Sequence, residues 1–572
     1  MKHIGAIAAT LAATTTWAID TAPSARLSQI GFEPVSHKVV VLPRQQDGSF
    51  RTGAWQLVAV AGKKRKAAAS GAIPAPSYWN GIADSAQAIV LPESLPVGKY
   101  RLVQGKDRLS ADFQVAPGRD AMLVKAGMKA FYHNRASTAT DSAFAGRWAR
   151  PAGHPDTLVE RHASTGQSGT FSSPKGWYDA GDYGKYIVNS GVTTWLLLDL
   201  YEKGPAVFDT LRWGIPAGAE PELLREIRWN LDWMLTMQDA DGGVYHKLTT
   251  LRFNAMEEMP HQDKGSRFAV MKTTAATLDF ALVAAKASRI WRRFDTAYAA
   301  RCLAAARSAW AWSIANPDSI YAQPSDVKTG QYGDKQVSDE RFAAAAEIAL
   351  ATNDAAMFRP FREQIRRRGT VSSWQDVGAL GIYTILANPG FFAAEQAAAK
   401  AVLTDSAGRL RDRVRATGYA TPIDSVDFVW GSNCVQAMQG IHMVHAFLAT
   451  GDSSFLHGAE AALDYLLGRN PIDSSFVTGV GIRPPLHPHH RPSVADTVYT
   501  PVPGFLVGGA HQGGQDIGPN PWQLTDYRIQ GKPALSWTDH MKSYATNEVA
   551  INWNAALVHL AGMVALVRKS FP

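Results

Sequence analysis

Two stretches of this chain hold carboxylates in settings suited to acid–base chemistry. In Trp177-Tyr178-Asp179-Ala180-Gly181-Asp182-Tyr183-Gly184-Lys185-Tyr186, two carboxylates three residues apart sit in a glycine-containing loop just ahead of a helical pattern. That spacing can aim both at one water molecule. The same pair also suits a helix N-cap, or half of a calcium site. In Asn547-Glu548-Val549-Ala550-Ile551-Asn552-Trp553-Asn554-Ala555, Glu548 precedes an apolar helical run. A glutamate there can serve as an acid, or simply as a partner for the helix dipole. A third stretch, His487-Pro488-His489-His490, groups imidazoles that suit sugar hydroxyls or a metal, with His511 and Asp516 as candidate distant ligands.

Such groups need a scaffold to bring them together, and a chain of 572 residues exceeds what one core usually holds. From residue 30 to about 117 it reads as short strands, at 38–42, 55–60 and 100–103, punctuated by Asp47-Gly48, Gly62 and Pro96-Val97-Gly98. This is the grammar of a small β-sandwich. Beyond Pro117-Gly118 the period becomes helical, most clearly at 271–291 and again at 190–201, 222–237, 343–352, 435–449, 459–467 and 550–567. Helices in that number, joined by Gly/Pro-rich loops with aromatic and acidic residues, point to an α/α toroid whose loops build a cleft.

Composition narrows the function classes. The net charge is +8, but the basic residues are spread along the chain, including the short runs Lys63-Lys64-Arg65-Lys66 and Arg366-Arg367-Arg368, which read as solvated faces. Nucleic acid is not an expected partner. The 2 cysteines, Cys302 and Cys434, fall in helical patterns and imply no disulfide framework. Lys2, the weakly apolar stretch 4–13 and Thr16-Trp17-Ala18 read as a signal peptide over residues 1–18, which implies a secreted or periplasmic protein. No other segment reaches the roughly 18–20 uninterrupted apolar residues of a membrane span, so a membrane is not an expected partner either.

Several motifs, in order, resemble glycoside hydrolase family 9, the cellulase family with an (α/α)6 barrel, in the subgroup with an N-terminal immunoglobulin-like domain. They are the loop Asp179 to Tyr186, Asp241-Gly242-Gly243-Val244-Tyr245-His246-Lys247, Trp430-Gly431-Ser432-Asn433, Leu467-Gly468-Arg469-Asn470-Pro471, His489-His490-Arg491 and the segment Asn547 to Ala555. The resemblance implies an immunoglobulin-like β-sandwich over 19–117 followed by an (α/α)6-barrel catalytic domain over 118–572. It makes Asp182 the general base, Asp179 its partner in holding the nucleophilic water, and Glu548 the proton donor of an inverting hydrolase. That chemistry needs one carboxyl protonated and the other ionised.

By the same resemblance His489, Arg491 and His246 bind the sugar through hydrogen bonds, while Trp430, Trp374 and Tyr544 offer aromatic faces to pyranose rings. The chemistry needs no cofactor. A structural calcium is implied at Asp339, Glu340 and Asp376, whose hard oxygens suit it. A zinc site of relatives is not expected here, because Ala136 and Gly153 stand at the matching cysteine positions and leave His154 alone. The loop Val507 to Gly514 departs from the usual Gly-Gly-Pro-Asn form, which leaves subsite specificity open.

The implied function is endoglucanase-like cleavage of a β-1,4-glucan or cello-oligosaccharide by a monomer. An exo-acting β-glycosidase on short oligosaccharides, cellodextrinase or glucosaminidase, is the alternative within the family. An inactive carbohydrate-binding protein and a metallohydrolase built on the histidine loop are the readings from other classes. The presence of Asp179, Asp182 and Glu548 together weighs against an inactive protein.

Overall fold

A computed structural model describes residues 25–61 and 64–571. The expected signal peptide and the turn at Gly62-Lys63 lie outside the described residues. The first part is built of β1 (Val39–Pro43), β2 (Ala54–Ala61), β3 (Lys64–Ala72), β4 (Ser77–Trp79), β5 (Asp84–Val90), β6 (Gly98–Gln104), β7 (Asp107–Arg108) and β8 (Phe113–Val115). They form two antiparallel sheets, β1-β5-β4 and β3-β2-β6-β7, with β8 also paired to β6. Alternate residues of a strand face opposite ways. On β1, Val40 and Leu42 enter the sandwich core with Leu57, Ile89 and Leu102. Val39 and Val41, from the other face, pack into the core of the helical domain together with Trp79, Ile82 and Ala86. Burial on both faces explains the unbroken apolar run of β1.

Polar contacts reinforce this junction. Arg119 pairs with Asp120 at 2.8 Å and Asp464 at 3.0 Å, and donates to Gly31 O at 2.8 Å. Arg568 bridges Glu93 of the sandwich and Glu460 of the barrel, each at 2.8 Å.

The barrel helices are α1 (Arg119–His133), α2 (Ile187–Lys203), α3 (Glu222–Thr236), α4 (Thr274–Trp291), α5 (Thr296–Ala315), α6 (Ser338–Thr352), α7 (Gly378–Ala387), α8 (Gln396–Ala416), α9 (Ser432–Thr450), α10 (Ser453–Leu466) and α11 (Ile551–Arg568), with a 3-10 stretch at Ala355–Arg367. Helices α2, α4, α6, α7, α9 and α11 form the inner ring, backed in turn by α3, α5, Ala355–Arg367, α8, α10 and α1. Sequence sets this division. On α11 every residue from Ile551 to Ala565 is buried, whereas outer α8 buries only the stripe Ala399, Leu403, Ser406, Ala407, Leu410 and Val414. A helix apolar all round must be enclosed, and an amphipathic one lies at the surface. Helix α11 is long and apolar enough to cross a membrane by composition, but 83% of its apolar window is buried inside the barrel.

The starts of the inner helices share one mouth, and their last turns meet at the other. There Asp199 of α2 accepts from His559 of α11 at 3.0 Å, with His445 of α9 at 3.6 Å and Lys286 of α4 at 3.6 Å. Asp199, His445 and His559 have the spacing of metal ligands. However, two lysines already lie against the carboxylate, Lys203 at 3.9 Å and Lys286 at 3.6 Å, so the group forms a buried ionic plug. The ring closes between α7 and α9 through Tyr383, bonded to His442 Nδ1 at 2.6 Å and stacked on His445 at 3.8 Å.

A small sheet that sequence periodicity did not reveal lies at the mouth where the helices start. It contains β9 (Val159–Arg161), β10 (Thr170–Phe171), β11 (Lys185–Tyr186), β12 (Tyr245–Thr249) and β13 (Phe268–Lys272), in the order β10-β9-β13-β12-β11. Its strands of two to five residues are too short to show a period.

Candidate active site

The loop Asp179 to Gly184 is folded by its own backbone and by distant segments. Asp179 N–H donates to Gly184 O at 3.0 Å, and Asp179 O accepts the first N–H of α11, from Ile551, at 2.8 Å. One aspartate carbonyl thus caps the helix that follows Glu548. Gly181 lies so close to the His489 carbonyl that a Cβ would sit 2.1 Å from it, and at Gly184 a Cβ would meet Asp182 Oδ2 at 2.7 Å. Only glycine fits at either point.

Both aspartates are buried. Asp179 Oδ1 accepts from Asn189 Nδ2 and Oδ2 from Tyr332 Oη, each at 2.6 Å. Asp182 Oδ2 accepts from Gly184 N–H and from Tyr186 Oη, each at 3.0 Å. Its Oδ1 has no protein donor among the described residues, which leaves that oxygen for a water. Burial, then the charge of Asp182, pushes Asp179 up to about 8 against the lowering effect of its two donors.

Glu548 is brought to this loop by strand-like pairing. His489 N–H donates to Asn547 O at 2.8 Å and Gly508 N–H to Glu548 O at 2.9 Å. Burial and the charges of Asp182 and Asp179 push the Glu548 carboxyl well above the usual carboxylate range, opposed by Arg491 and by the Gly181 N–H. A carboxyl held protonated within the field of a neighbouring carboxylate pair has the electrostatics of an acid opposite a base.

Around this centre, His489 is partly exposed and donates from Nδ1 to Met541 O at 2.6 Å, which assigns the proton to Nδ1 and leaves Nε2 as an acceptor. Burial holds its pKa at about 4, so the ring is neutral. Tyr544 sits between His489 at 6.0 Å and Trp430 at 5.2 Å, and its hydroxyl donates to Gln515 O. Trp430 is 44% exposed and presents an open aromatic face. Trp374 stands edge-on to Tyr332 at 5.1 Å.

Two residues expected to bind the sugar make internal contacts in the structure. His246 is fully buried, with Nδ1 on Thr273 Oγ1 at 2.9 Å and Nε2 on Gln331 O at 2.8 Å, so neither nitrogen opens onto the cleft. Arg491 is buried too, donating to Gly181 O at 2.6 Å and to Asn254 O at 2.8 and 3.1 Å. It clamps the aspartate loop.

Tyr332, Tyr186 and Asn189 touch the carboxylates and were not singled out from sequence. Tyr332 has a φ of 46°, a region that a bulky side chain rarely adopts, and this is strain stored beside the reacting groups. No local pattern in Gly330-Gln331-Tyr332-Gly333 announces it.

The expected calcium residues gather at the starts of α6 and α7. Asp339 Oδ2 accepts Val377 N–H at 2.8 Å, and Asp376 Oδ1 accepts Gly378 N–H at 2.9 Å. Both Glu340 oxygens are buried without a donor, as are both oxygens of Asp279 on α4 and Oδ2 of Asp334. Acceptor-only oxygens left unanswered in this number fit a hard cation. The zinc position is different in kind. His154 is held by Tyr178 Oη at 2.7 Å and Asp263 Oδ2 at 2.8 Å, while Gly153 packs against Pro260. One imidazole and one carboxylate without thiolates do not make a structural zinc site.

Comparison with known proteins agrees with this architecture. The model of Glycosyl hydrolase family 9 matches residues 121–561. A xyloglucan-specific endo-β-1,4-glucanase of Bacteroides ovatus is 37% identical, covering 94% of this chain and 92% of its own. Endoglucanase D of Acetivibrio thermocellus is 32% identical over 82% of this chain and 73% of its own. Among solved structures, a thermostable endoglucanase from Alicyclobacillus acidocaldarius superposes with a TM-score of 0.84 at 28% identity, covering 95% of this chain and 99% of its own.

Proposed function

The chain belongs to glycosyl hydrolase family 9, and from that premise we propose that it cleaves β-1,4-glucan chains internally by a single inverting displacement. The observation that carries the proposal is a Glu548 carboxyl held protonated by burial and by the charges of Asp182 and Asp179, with the Gly181 N–H of the aspartate loop on it. Asp182 Oδ1 takes a proton from a water that Asp179 helps to orient, and the water attacks the anomeric carbon. Glu548 gives its proton to the departing glycosidic oxygen on the opposite face. An inverting pair keeps its carboxyls about 6.5–9.5 Å apart to admit that water. His489 Nε2 accepts from a sugar hydroxyl beside the scissile bond, and Trp430 and Tyr544 carry neighbouring rings on their faces.

The glucan backbone is the proposed substrate, with the B. ovatus relative's named xyloglucan specificity placing a substituted β-1,4-glucan beside plain cello-oligosaccharides as the first to test. We also propose that calcium is held by Asp339, Glu340 and Asp376 together with Asp279 and Asp334. It supplies charge neutralisation to the helix starts and takes no part in the chemistry.

Product analysis tests the mechanism. Cellopentaose and xyloglucan oligosaccharides, followed by proton NMR before mutarotation, should release α-anomers first, from internal bonds. A first-formed β-anomer, or a trapped glycosyl adduct, would overturn the inverting assignment.

A further inference from the structure

Lys247 ends the segment Asp241 to Lys247 and lies on β12 directly across from Tyr186 of β11. It is fully buried. Its Nζ donates to Gly330 O at 2.6 Å, Gln323 Oε1 at 3.1 Å and Thr329 Oγ1 at 3.3 Å. All three acceptors belong to the loop 321–333, and the neighbouring His246 holds the next carbonyl, that of Gln331. The loop then reaches both aspartates. Gly330 N–H donates to Tyr186 Oη at 3.1 Å, which leaves the phenolic proton to point at Asp182 Oδ2. Two residues on, Tyr332 Oη donates to Asp179 Oδ2.

We propose that Lys247 is a positioning residue for the carboxylate pair: it fixes the loop that donates Tyr332 to Asp179 and orients Tyr186 toward Asp182. This rests on the reading of Asp182 as base and Asp179 as its partner.

Anchoring alone does not require a cation. The same loop is already tied by Thr249 Oγ1 to Thr329 Oγ1 at 2.9 Å and by Lys328 N–H to Leu251 O at 2.7 Å. Burying an ammonium among neutral acceptors is unfavourable, and a neutral donor would serve as well. Burial pulls Lys247 down to about 7, and the charge of Asp182 is what opposes the fall. The other groups facing it are the phenols of Tyr186 and Tyr321, at 5.7 and 5.3 Å from the ammonium to the ring centres. The neighbouring His246 is neutral, its pKa held at about 3 by burial. Tyr186, whose ring lies 5.7 Å from the ammonium and whose hydroxyl is bonded to Asp182, is the group through which Lys247 acts on the carboxylate pair.

The test compares Lys247→Met, Tyr186→Phe and Thr249→Val in the full chain, with kcat and KM on cellopentaose measured from acid to alkaline pH. Lys247→Met should lower kcat by roughly 10–100-fold with KM within about threefold, and move the acidic limb of kcat/KM to higher pH by roughly half a unit or more. Tyr186→Phe, which keeps the ring, should shift the limb the same way. Thr249→Val, which removes a neutral anchor, should leave the limb unmoved. A parental pH profile in Tyr186→Phe or in a folded Lys247→Met would overturn the proposal, as would an equal limb shift in Thr249→Val. Asp182→Ala separates the two levels. If it stays active, the base assignment fails. If it is inactive while Lys247→Met and Tyr186→Phe behave as parent, only the role of Lys247 fails.

Discussion

Glu548 and Asp182 are the same kind of group, and the proposed mechanism puts them to opposite uses because their surroundings differ. Asp182 has two donors on Oδ2 and a free Oδ1, whereas Glu548 faces two aspartates that penalise its charge. Replacing Glu548 by Gln keeps the shape and removes the transferable proton. The loss on cellopentaose should be about 100-fold or more, but much smaller on an aryl cellobioside with a nitrophenolate leaving group, which departs without protonation. The sign of the pH effect follows. Glu548 acts in its protonated form, so parental kcat/KM falls as pH rises through its raised pKa, and in Glu548→Gln assayed on the aryl substrate that alkaline limb should vanish. Equal losses on both substrates, with the limb retained, would remove Glu548 from the acid role. At this scale the two aspartates and the glutamate were legible because their motifs are local. The donors that tune them, Tyr332 and Asn189, were not, since a lone Tyr or Asn carries no mark of its partner.

Among the elements, the starts of α4, α6 and α7 converge on acids that repel one another. Asp279 is pushed well above the usual range by burial and by Asp339 and Asp334, and Glu340 by burial, Asp339 and Asp279. Helices brought together with such a cluster are stabilised by whatever cation neutralises it, through mass action on the folded state. Adding millimolar calcium to chelator-treated protein should raise Tm by roughly 1–3 °C at neutral pH, an increment that corresponds to roughly 1–3 kcal/mol for a chain of this length. Glu340→Gln should lose most of that response, and an unchanged Tm in the parent would exclude the site. Sequence pointed to Asp339, Glu340 and Asp376, which lie at helix starts. Asp279 sits inside the apolar stretch of α4, where only the packing of α6 against α4 shows what it faces.

Across the whole molecule, the sandwich acts as a brace for the cleft. Trp79 of β4 is buried against Tyr419, Phe428 and Tyr465 at 5.1, 6.0 and 6.4 Å, and its Nε1 donates to Ile423 O at 3.1 Å. Past it, Gly81 O in the β4–β5 turn accepts the N–H of Ala534 at 2.8 Å. These contacts hold the two segments that lead to the exposed Trp430 and its half-buried neighbour Tyr544. Trp79→Ala should therefore cost about 3–5 kcal/mol of stability and raise KM for glucan more than it lowers kcat. Denaturant unfolding and steady-state kinetics check the two halves. A destabilised variant with parental KM would limit the sandwich to a stabilising role.

Read alone, the sequence determined what short-range pattern can encode. Short strand-like runs before residue 117 and a period of about 3.6 after it separate sandwich from barrel. Clustered motifs mark the three carboxylates. Only the tertiary structure decided what each group meets. Arg491 and His246 have the chemistry of sugar ligands, yet backbone carbonyls from segments some 85 to 310 residues away occupy their donors. The raised pKa of Glu548 arises from burial and from charges on other elements. Closing the barrel brings Asp179 onto the first turn of α11 and sets Glu548 across from Asp182. The carboxylates acquire opposite roles only then, because through-space electrostatics depend on distances that local sequence does not contain.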